Sequence, residues 1–205
     1  MEVFISLDFT SLSEAIKVAY SVVRAGISHL EIGTPLIKAE GVRVVKIFRE
    51  LFPDVTIFAD MKTMDTGALE ASLAFESGAD ICSVMGAAPR ATWREALKAA
   101  DSFNGEILLD TLGVENVLKL IDEARRMGIH RVCVHRGIDE GVLRSESVEG
   151  VRASGLKLGA AGGINEDILP TLVGKLDFVM VGRAVTRSEN PEEAARRILR
   201  ISLSG

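Results

Sequence analysis

Short apolar runs alternate with longer amphipathic segments along almost the whole chain. The apolar runs are four to six residues long and read as strands buried on both faces of a parallel sheet. The longer segments repeat apolar residues with the period of a helix. The predicted strands are residues 3–7, 29–32, 56–61, 80–85, 106–109, 131–134, 157–161 and 178–181. The predicted helices cover about 11–25, 41–51, 66–77, 92–102 and 115–127, with others beginning near 165 and 191.

This alternation predicts one α/β domain over residues 1–205, folded as a single (β/α)8 TIM barrel. A doubly wound open sheet is the alternative, but no GxGxxG turn follows the first predicted strand. Residues 137–155 carry several glycines and serines and predict no regular element. No linker or low-complexity tract divides the chain.

Chemistry-bearing residues stand where the predicted strands end. In a (β/α)8 barrel the carboxyl ends of all strands meet at one face, which is where active sites of this fold lie. A single aspartate after a strand is usually a turn or capping residue, so the argument depends on several strands ending this way. The strand-end residues are Asp8, Glu31, Asp60 with Lys62, Asp110, His135, Gly162 with Gly163, and Gly182 with Arg183.

The last two strand ends predict a phosphate site. Gly162 and Gly163 precede the helix predicted from Asn165, and Gly182 and Arg183 follow the last strand. Glycines let the backbone approach an anion, and a helix N-terminus presents free N–H groups. These two loops are the usual phosphate position in such barrels. The alternative is a pair of ordinary turn glycines beside a surface arginine.

The opposite side of the predicted barrel mouth is acidic. Glu31 and Asp60 end adjacent strands, so their carboxylates could hold one Mg²⁺, which would polarise a substrate carbonyl and stabilise an enediolate. Lys62 would add positive charge, and Asp65 would orient it or bind a sugar hydroxyl. The plainer alternatives are an ion pair between Glu31 and Lys62 without metal, and Asp65 as the N-cap of the next helix. His135 could move a proton, since its usual pKa lies near neutrality.

The composition narrows the class of protein. Charged residues make up 26% and hydrophobic residues 47% of the chain, which is typical of a globular domain. The net charge of -5 argues against a nucleic-acid partner. No apolar stretch approaches the ~20 residues of a membrane span, and no signal-peptide pattern opens the sequence, so we expect a cytoplasmic enzyme. Cys82 and Cys133 lie in separate apolar runs and predict buried thiols.

Several stretches resemble the orotidine-monophosphate decarboxylase superfamily and, within it, the 3-hexulose-6-phosphate synthase family. The Asp-x-Lys-x-x-Asp spacing of Asp60, Lys62 and Asp65 matches the signature of that superfamily. The similar stretches are LDF at Asp8, EIGTPLIKAEG from Glu31, ADMKTMDTGALEASLAFESGAD from Ala59, DTLGV from Asp110, CVHRGID around His135, AAGGI at Gly162 and VGRAVT at Gly182.

The resemblance implies a Mg²⁺-dependent aldolase that interconverts D-arabino-3-hexulose 6-phosphate with D-ribulose 5-phosphate and formaldehyde through a metal-stabilised enediolate. Glu31 and Asp60 would hold the metal, and Lys62 and His135 would serve the enediolate and its proton transfers. The resemblance also implies a homodimer in which Asp65 reaches the site of the partner. Its remaining implications are substrate contacts by Asp8, Asp110, Gly162, Gly163, Gly182 and Arg183.

The closest alternative that the resemblance implies is a 3-keto-L-gulonate-6-phosphate decarboxylase with the same site. Asp110 and Ile138 favour the synthase family, since the decarboxylase family tends to carry Glu and Arg there. Arg136 and Arg183 are more typical of the decarboxylase. Two further alternatives are a metal-free isomerase and a non-catalytic sugar-phosphate-binding barrel. The intact set of Asp60, Lys62 and Asp65 argues against the non-catalytic alternative.

Overall fold

Eight parallel strands form a closed barrel in a computed structural model that describes residues 1–143, 148 and 155–204. Each strand pairs with the next along the chain, and β8 closes the ring by pairing with β1. The predicted (β/α)8 architecture is therefore confirmed. The strands are β1 (Glu2–Leu7), β2 (His29–Ile32), β3 (Thr56–Thr63), β4 (Ile81–Met85), β5 (Glu106–Asp110), β6 (Arg131–His135), β7 (Lys157–Ala161) and β8 (Phe178–Val181).

Helices surround the barrel and bury their apolar faces against it. In the part of the chain that the structure describes, no helix is long and apolar enough to cross a membrane. The helices are α1 (Leu12–Arg24), α2 (Thr34–Glu40), α3 (Arg43–Leu51), α4 (Gly67–Glu76), α5 (Arg90–Phe103), α6 (Val117–Arg126), α7 (Leu169–Leu172), α8 (Arg183–Thr186) and α9 (Pro191–Ser202).

The structure differs from the predicted helices at three places. α2 lies before the helix predicted from about residue 41: Gly33 is its N-cap, and Pro35 occupies the first turn, which tolerates proline. Asp65 does not cap α4: Thr66 is the N-cap, and Asp65 Oδ1 accepts a hydrogen bond from the Thr66 N–H at 2.8 Å. The helix predicted from Asn165 begins only at Leu169, because Asn165 Oδ1 accepts from the N–H groups of Asp167 and Ile168 in a turn.

The irregular segment predicted over residues 137–155 is described in part. Residues 138–140 form a short 3-10 helix, Ile138–Glu140. Residues 144–147 and 149–154 lie outside the described residues.

Aromatic side chains fill the barrel below its mouth. Phe4 meets Phe58 and Phe178 edge-on, with ring centroids 6.2 and 5.9 Å apart, and all three are at most 1% exposed. Gly159 makes room for Phe178, because a Cβ at Gly159 would lie 2.1 Å from that ring. The packed aromatic layer closes the barrel from below, so ligands can reach the strand ends only from the mouth.

A charged cluster covers the amino-terminal end of the barrel. Arg131 is 3% exposed, stacks over the Phe178 ring at 4.9 Å, and pairs with Glu2 at 2.8 Å and Glu106 at 3.0 Å. Lys157 reaches Glu2 at 3.2 Å. Burial would raise the pKa of Glu2, but the two cations outweigh it and lower the pKa below its usual value of 4.5. This ion-pair cluster contributes to stability and not to the candidate site, because it lies at the end of the barrel opposite the strand-end residues.

The Glu2→Gln variant should unfold about 1–4 °C below the wild type at pH 6, because Arg131 and Lys157 lose a charged partner. An acid whose pKa is lower in the folded state stabilises the fold above its unfolded pKa and loses that contribution as pH falls through the folded pKa. The difference should therefore shrink as pH falls below 4.5. Thermal unfolding from pH 6 to pH 2.5 measures it, and a difference that persists unchanged at pH 2.5 would contradict this role of Glu2.

Candidate active site

The end of β3 is distorted where the signature residues lie. Ala59 pairs with Cys82 and Thr63 with Val84, so residues 60–62 of β3 stand opposite Ser83 alone. Lys62 adopts a left-handed backbone with φ of 48°. Such a conformation costs a non-glycine residue about 1–3 kcal/mol and persists where the surroundings hold it, commonly at functional sites. The bulge brings Lys62 against acidic groups from two strands.

Asp60 is buried among three donors. Its Oδ1 accepts from Ser83 Oγ at 2.8 Å, and its Oδ2 accepts from Thr34 Oγ1 at 2.7 Å. Lys62 Nζ lies 3.2 Å from Oδ1 and 3.0 Å from Oδ2. A carboxylate has about four lone-pair positions, so three donors leave Asp60 able to accept one further ligand.

Glu31 lies on the neighbouring strand, 6% exposed, and accepts a hydrogen bond from Ser6 Oγ on β1. Burial raises its pKa well above the usual value, and the negative charges of Asp60 and Asp8 raise it further. The predicted ion pair between Glu31 and Lys62 is not formed in the described structure, although the lysine favours the charged carboxylate. The three acids thus repel one another, and a cation between them would relieve that repulsion.

Asp110 joins Lys62 to His135. Its Oδ2 lies 2.8 Å from both Lys62 Nζ and His135 Nδ1, and its Oδ1 accepts from the Leu112 N–H at 2.8 Å. Burial would raise its pKa, but the hydrogen bond from His135 and the charge of Lys62 lower it to about 2. Asp110 is therefore ionised at neutral pH and can only accept. His135 must then carry a proton on Nδ1, which leaves Nε2 as the ring atom available for proton transfer.

The pKa of Lys62 shows how strongly the acids hold its charge. Burial would lower that pKa, but Asp60 and Asp110 outweigh burial and raise it above the usual value. Lys62 is therefore a fixed cation at neutral pH, suited to holding a negative charge that develops on a substrate.

Asp8 stands at the mouth between two glycine turns. Its side chain is exposed, but the surrounding residues partly desolvate it. This desolvation and the negative charge of Asp60 together raise the pKa of Asp8. A Cβ at Gly33 would lie 2.2 Å from Asp8 Oδ1, and one at Gly182 would lie 3.7 Å from Oδ2. The absence of a side chain at Gly33 is what allows this carboxylate its position. The positive charge of Arg183 lowers the pKa of Asp8, so Arg183 acts on the same mouth.

The turns predicted to hold phosphate lie on the side of the barrel mouth across from Asp60. Gly162 and Gly163 have φ of 118° and 70°, where side chains are disfavoured. A Cβ at Gly162 would also lie 2.4 Å from the Arg136 carbonyl oxygen. Arg183 opens α8 with an exposed side chain, and the described residues give its guanidinium no hydrogen bond or ion pair. The backbone of both turns and this arginine are thus open to an anion at the barrel mouth.

Asp65 lies apart from the other signature residues. Its side chain is exposed, and its one described hydrogen bond is with the N–H of Thr66. It makes no described contact with Lys62, so within one chain it does not orient that lysine. A cavity of about 480 Å³ opens beside His135 and Arg136, but its lining includes neither Glu31, Asp60 nor Lys62. A smaller cavity of about 160 Å³, lined in part by Leu158 and Asp177, lies away from these residues.

Four hydroxyl groups that orient the charged residues were missed by sequence reasoning. Ser6 bonds Glu31, Thr34 and Ser83 bond Asp60, and Thr111 Oγ1 accepts from the His135 N–H at 3.0 Å. Ser6 and Ser83 did leave a signal, since each is a lone hydroxyl inside an apolar strand, near the end where acids gather. A buried hydroxyl needs a hydrogen-bond partner, and for each of these two serines that partner is a carboxylate of the site.

The donor set fits a magnesium ion. Among the described residues, no three His, Cys, Asp or Glu side chains form a complete metal cage. Mg²⁺ does not need one, because it is commonly held by one or two carboxylates and completes its shell with water and substrate oxygens. Glu31 and Asp60 supply two such carboxylates, each with lone pairs that the described hydrogen bonds leave open.

The chain is similar over nearly its full length to several known proteins. A 3-hexulose-6-phosphate synthase from Bacillus subtilis is 35% identical over 211 residues, covering 100% of both chains. A solved structure of 3-hexulose-6-phosphate synthase matches with a TM-score of 0.93 at 32% identity, covering 98% of this chain and 99% of that one. The 3-keto-L-gulonate-6-phosphate decarboxylase from Vibrio cholerae matches with a TM-score of 0.87 at 31% identity, covering 98% and 96%.

The family itself follows from the extent of the match. The orotidine 5'-phosphate decarboxylase / HUMPS family matches residues 1–198, which include every strand of the barrel and all the predicted site residues. The resemblance inferred from the motifs is thereby confirmed, and this chain belongs to the orotidine 5'-phosphate decarboxylase / HUMPS family.

Proposed function

We propose that this protein is a Mg²⁺-dependent carbon–carbon lyase that interconverts D-arabino-3-hexulose 6-phosphate with D-ribulose 5-phosphate and formaldehyde. Full-length similarity to proteins named 3-hexulose-6-phosphate synthase supports the reaction. The observation that carries the proposal is the linked set of Asp60, Lys62, Asp110 and His135, in which a fixed cation and a proton carrier share one carboxylate oxygen.

The chemistry follows from those positions. In the addition direction, His135 Nε2 takes a proton from the carbon beside the ketone of ribulose 5-phosphate, which leaves an enediolate. Lys62 holds the negative charge of its oxygen. The enediolate carbon attacks formaldehyde, a carbon–carbon bond forms, and the new alkoxide recovers the proton from His135. Asp110 keeps Nδ1 protonated throughout, so Nε2 alternates between base and acid.

Glu31 and Asp60 are the residues that would hold Mg²⁺. When bound, the ion would supply positive charge beside the reacting oxygens of the substrate. Lys62 contributes a second positive charge from the other side of Asp60. The substrate hydroxyls would meet Asp8 and, where its remaining lone pair allows, Asp110.

The phosphate group would be held by the turns at Gly162, Gly163 and Gly182 and by the exposed guanidinium of Arg183. Two observations support this assignment. Gly162 and Gly163 have positive φ, and the exposed Arg183 side chain has no hydrogen bond or ion pair within the described part of the chain. A phosphate held here would leave the reactive carbons of a pentose facing Lys62 and His135 across the mouth.

The Arg183→Ala variant should bind a phosphorylated ligand about tenfold or more weakly, since a hydrogen bond to a charged group contributes about 1.5–3 kcal/mol. Its unfolding temperature should stay that of the wild type, because no described contact is lost. The change is measured as the inhibition constant of ribulose 5-phosphate in the cleavage direction, in which it is a product. Arg187→Ala is the nearby surface control. Unchanged affinity would remove Arg183 from the site.

We expect a homodimer located in the cytoplasm, with Asp65 serving the site of the partner subunit. The exposure of Asp65 and its separation from Lys62 support a role outside its own chain. Exposed apolar side chains nearby, Met64 at 49% and Leu69 at 61%, are of the kind that a second subunit covers.

The second candidate is a 3-keto-L-gulonate-6-phosphate decarboxylase. Arg136 and the solved relative from Vibrio cholerae favour it. Against it, two donors of Arg136, Nε and Nη2, point at the Glu140 carbonyl oxygen at 3.0 and 2.7 Å, so this arginine is engaged in its own loop. Its presence therefore does not by itself predict decarboxylation.

Two assays run side by side on the purified protein with Mg²⁺ test the proposal. Formaldehyde should be consumed with ribulose 5-phosphate much faster than CO₂ is released from 3-keto-L-gulonate 6-phosphate. Dominant CO₂ release would select the second candidate. If neither substrate is consumed, both lyase assignments are rejected.

A further inference from the structure

Ser83 is the single residue of β4 that faces the distorted end of β3. Three residues of β3, Asp60 to Lys62, stand between the pairs formed by Ala59 with Cys82 and by Thr63 with Val84. In a regular parallel ladder, each of them would stand opposite a residue of β4, and the backbone groups of alternate residues would bond to that strand. Here the Ser83 side chain supplies the acceptor for one backbone N–H.

The Ser83 hydroxyl makes two hydrogen bonds to the distorted segment. Its Oγ accepts from the Lys62 N–H at 2.8 Å and donates to Asp60 Oδ1 at 2.8 Å. The residue is 0% exposed, so water does not replace either bond. The hydroxyl oxygen therefore accepts a hydrogen bond from the left-handed backbone of Lys62. The same hydroxyl donates its proton to the carboxylate that pairs with the lysine ammonium.

We propose that Ser83 is a positioning residue that holds Lys62 in its left-handed conformation and orients Asp60 toward it. This inference rests on the proposed function, because it assigns Ser83 an effect on the same site. The left-handed conformation of Lys62 is unfavourable by itself, so it requires a partner for its N–H. Ser83 is that partner, and through the same oxygen it couples the backbone of Lys62 to the carboxylate.

Removal of the hydroxyl takes a hydrogen-bond partner from two groups. The N–H of Lys62 loses its acceptor, and Asp60 loses one of its three donors. The backbone at residue 62 can then relax toward an ordinary strand conformation, which moves the ammonium away from the reacting oxygens. The glycine turns and Arg183 remain in place, so substrate binding through phosphate is retained while turnover falls.

The test compares Ser83→Ala with Ser83→Thr, which keeps a hydroxyl on a side chain suited to a strand. The matched control is Thr63→Val, which removes a hydroxyl that is 1% exposed and has no described hydrogen-bond partner. We expect kcat of Ser83→Ala to fall about 10–100-fold with KM within about threefold of the wild type. Ser83→Thr should recover most of that loss, and Thr63→Val should match the wild type.

A second readout does not depend on turnover. Hydrogen exchange of the Lys62 amide should be about tenfold or more faster in Ser83→Ala and restored in Ser83→Thr, because exchange reports the loss of that hydrogen bond. A wild-type kcat in Ser83→Ala, or a Ser83→Thr variant no better than Ser83→Ala, would overturn the proposal. If the wild type itself lacks both lyase activities, the proposed function fails, while the amide exchange still decides whether Ser83 holds Lys62.

Discussion

Turnover of the Lys62→Ala variant should fall about a thousandfold or more, the largest loss expected from any single change in this chain. Among the described residues, Lys62 is the one cation that contacts both Asp60 and Asp110, and the reaction has to stabilise a negative charge next to it. The loss should appear in kcat, because the phosphate end of the site is untouched. Steady-state assays with ribulose 5-phosphate and formaldehyde measure it, and a kcat within tenfold of the wild type would contradict the role.

Lys62→Ala should also unfold at a lower temperature at neutral pH. Asp60 and Asp110 are 4% and 3% exposed, and both lose their counter-charge. The matched control is Lys62→Arg, which keeps the charge and should recover the unfolding temperature without recovering kcat, since a guanidinium cannot replace a compact ammonium. Stability and activity would then separate, which shows that the loss of turnover is not a loss of fold.

Mixing variants extends the test to the expected dimer. If Asp65 serves the site of the partner, a Lys62→Ala subunit and an Asp65→Asn subunit form one intact site in a mixed dimer. Activity should then reappear after the two inactive proteins are mixed and allowed to exchange subunits. Persistent inactivity, with subunit exchange shown by mass, would contradict a shared site.

Removal of divalent cations should abolish turnover, and Mg²⁺ should restore it. The expected loss is about a hundredfold or more, since Glu31 and Asp60 would otherwise stand unneutralised beside a substrate that gains negative charge. A metal-free isomerase would keep its activity after chelation, so the same experiment separates these classes.

A binding measurement supports this test without turnover. Mg²⁺ should raise the unfolding temperature of the wild type, because it binds only the folded state. Glu31→Gln should lose that increase, and should be more stable than the wild type in the absence of metal, since a neutral amide no longer repels Asp60 and Asp8. Glu50→Gln, on the surface of α3, is the control and should keep the response. An undiminished Mg²⁺ response in Glu31→Gln would remove Glu31 from the metal site.

Local pattern predicted the strands better than the helices. The bounds of β2, β7 and β8 agree with the prediction at both ends. β8 is continuously apolar, as expected of a strand that is buried on both faces. The short helices α2 and α7 depend on packing and turn contacts, and their four to seven residues carry too little periodicity to be recognised.

The sequence alone determined which residues reach the mouth, since the carboxyl ends of the strands in a closed parallel barrel converge whatever the side chains are. The signature of Asp60, Lys62 and Asp65 was recognised from its resemblance to the family. Only the tertiary structure decided how these three residues differ. Asp60 and Lys62 form an ion pair, whereas Asp65 lies beyond the end of β3 at Thr63, is exposed, and makes no described contact with Lys62.

The tertiary structure also decided what the hydroxyls and Asp110 do. Ser6, Thr34, Ser83 and Thr111 are far apart along the chain and acquire their acidic or backbone partners only when strands pair in register. The physical reason is that hydrogen bonds and ion pairs act over about 3 Å, a distance that strand order alone cannot specify. Sequence therefore determined the barrel and which charged residues end its strands, and three-dimensional packing determined the hydrogen-bond partners and the charge of each of them.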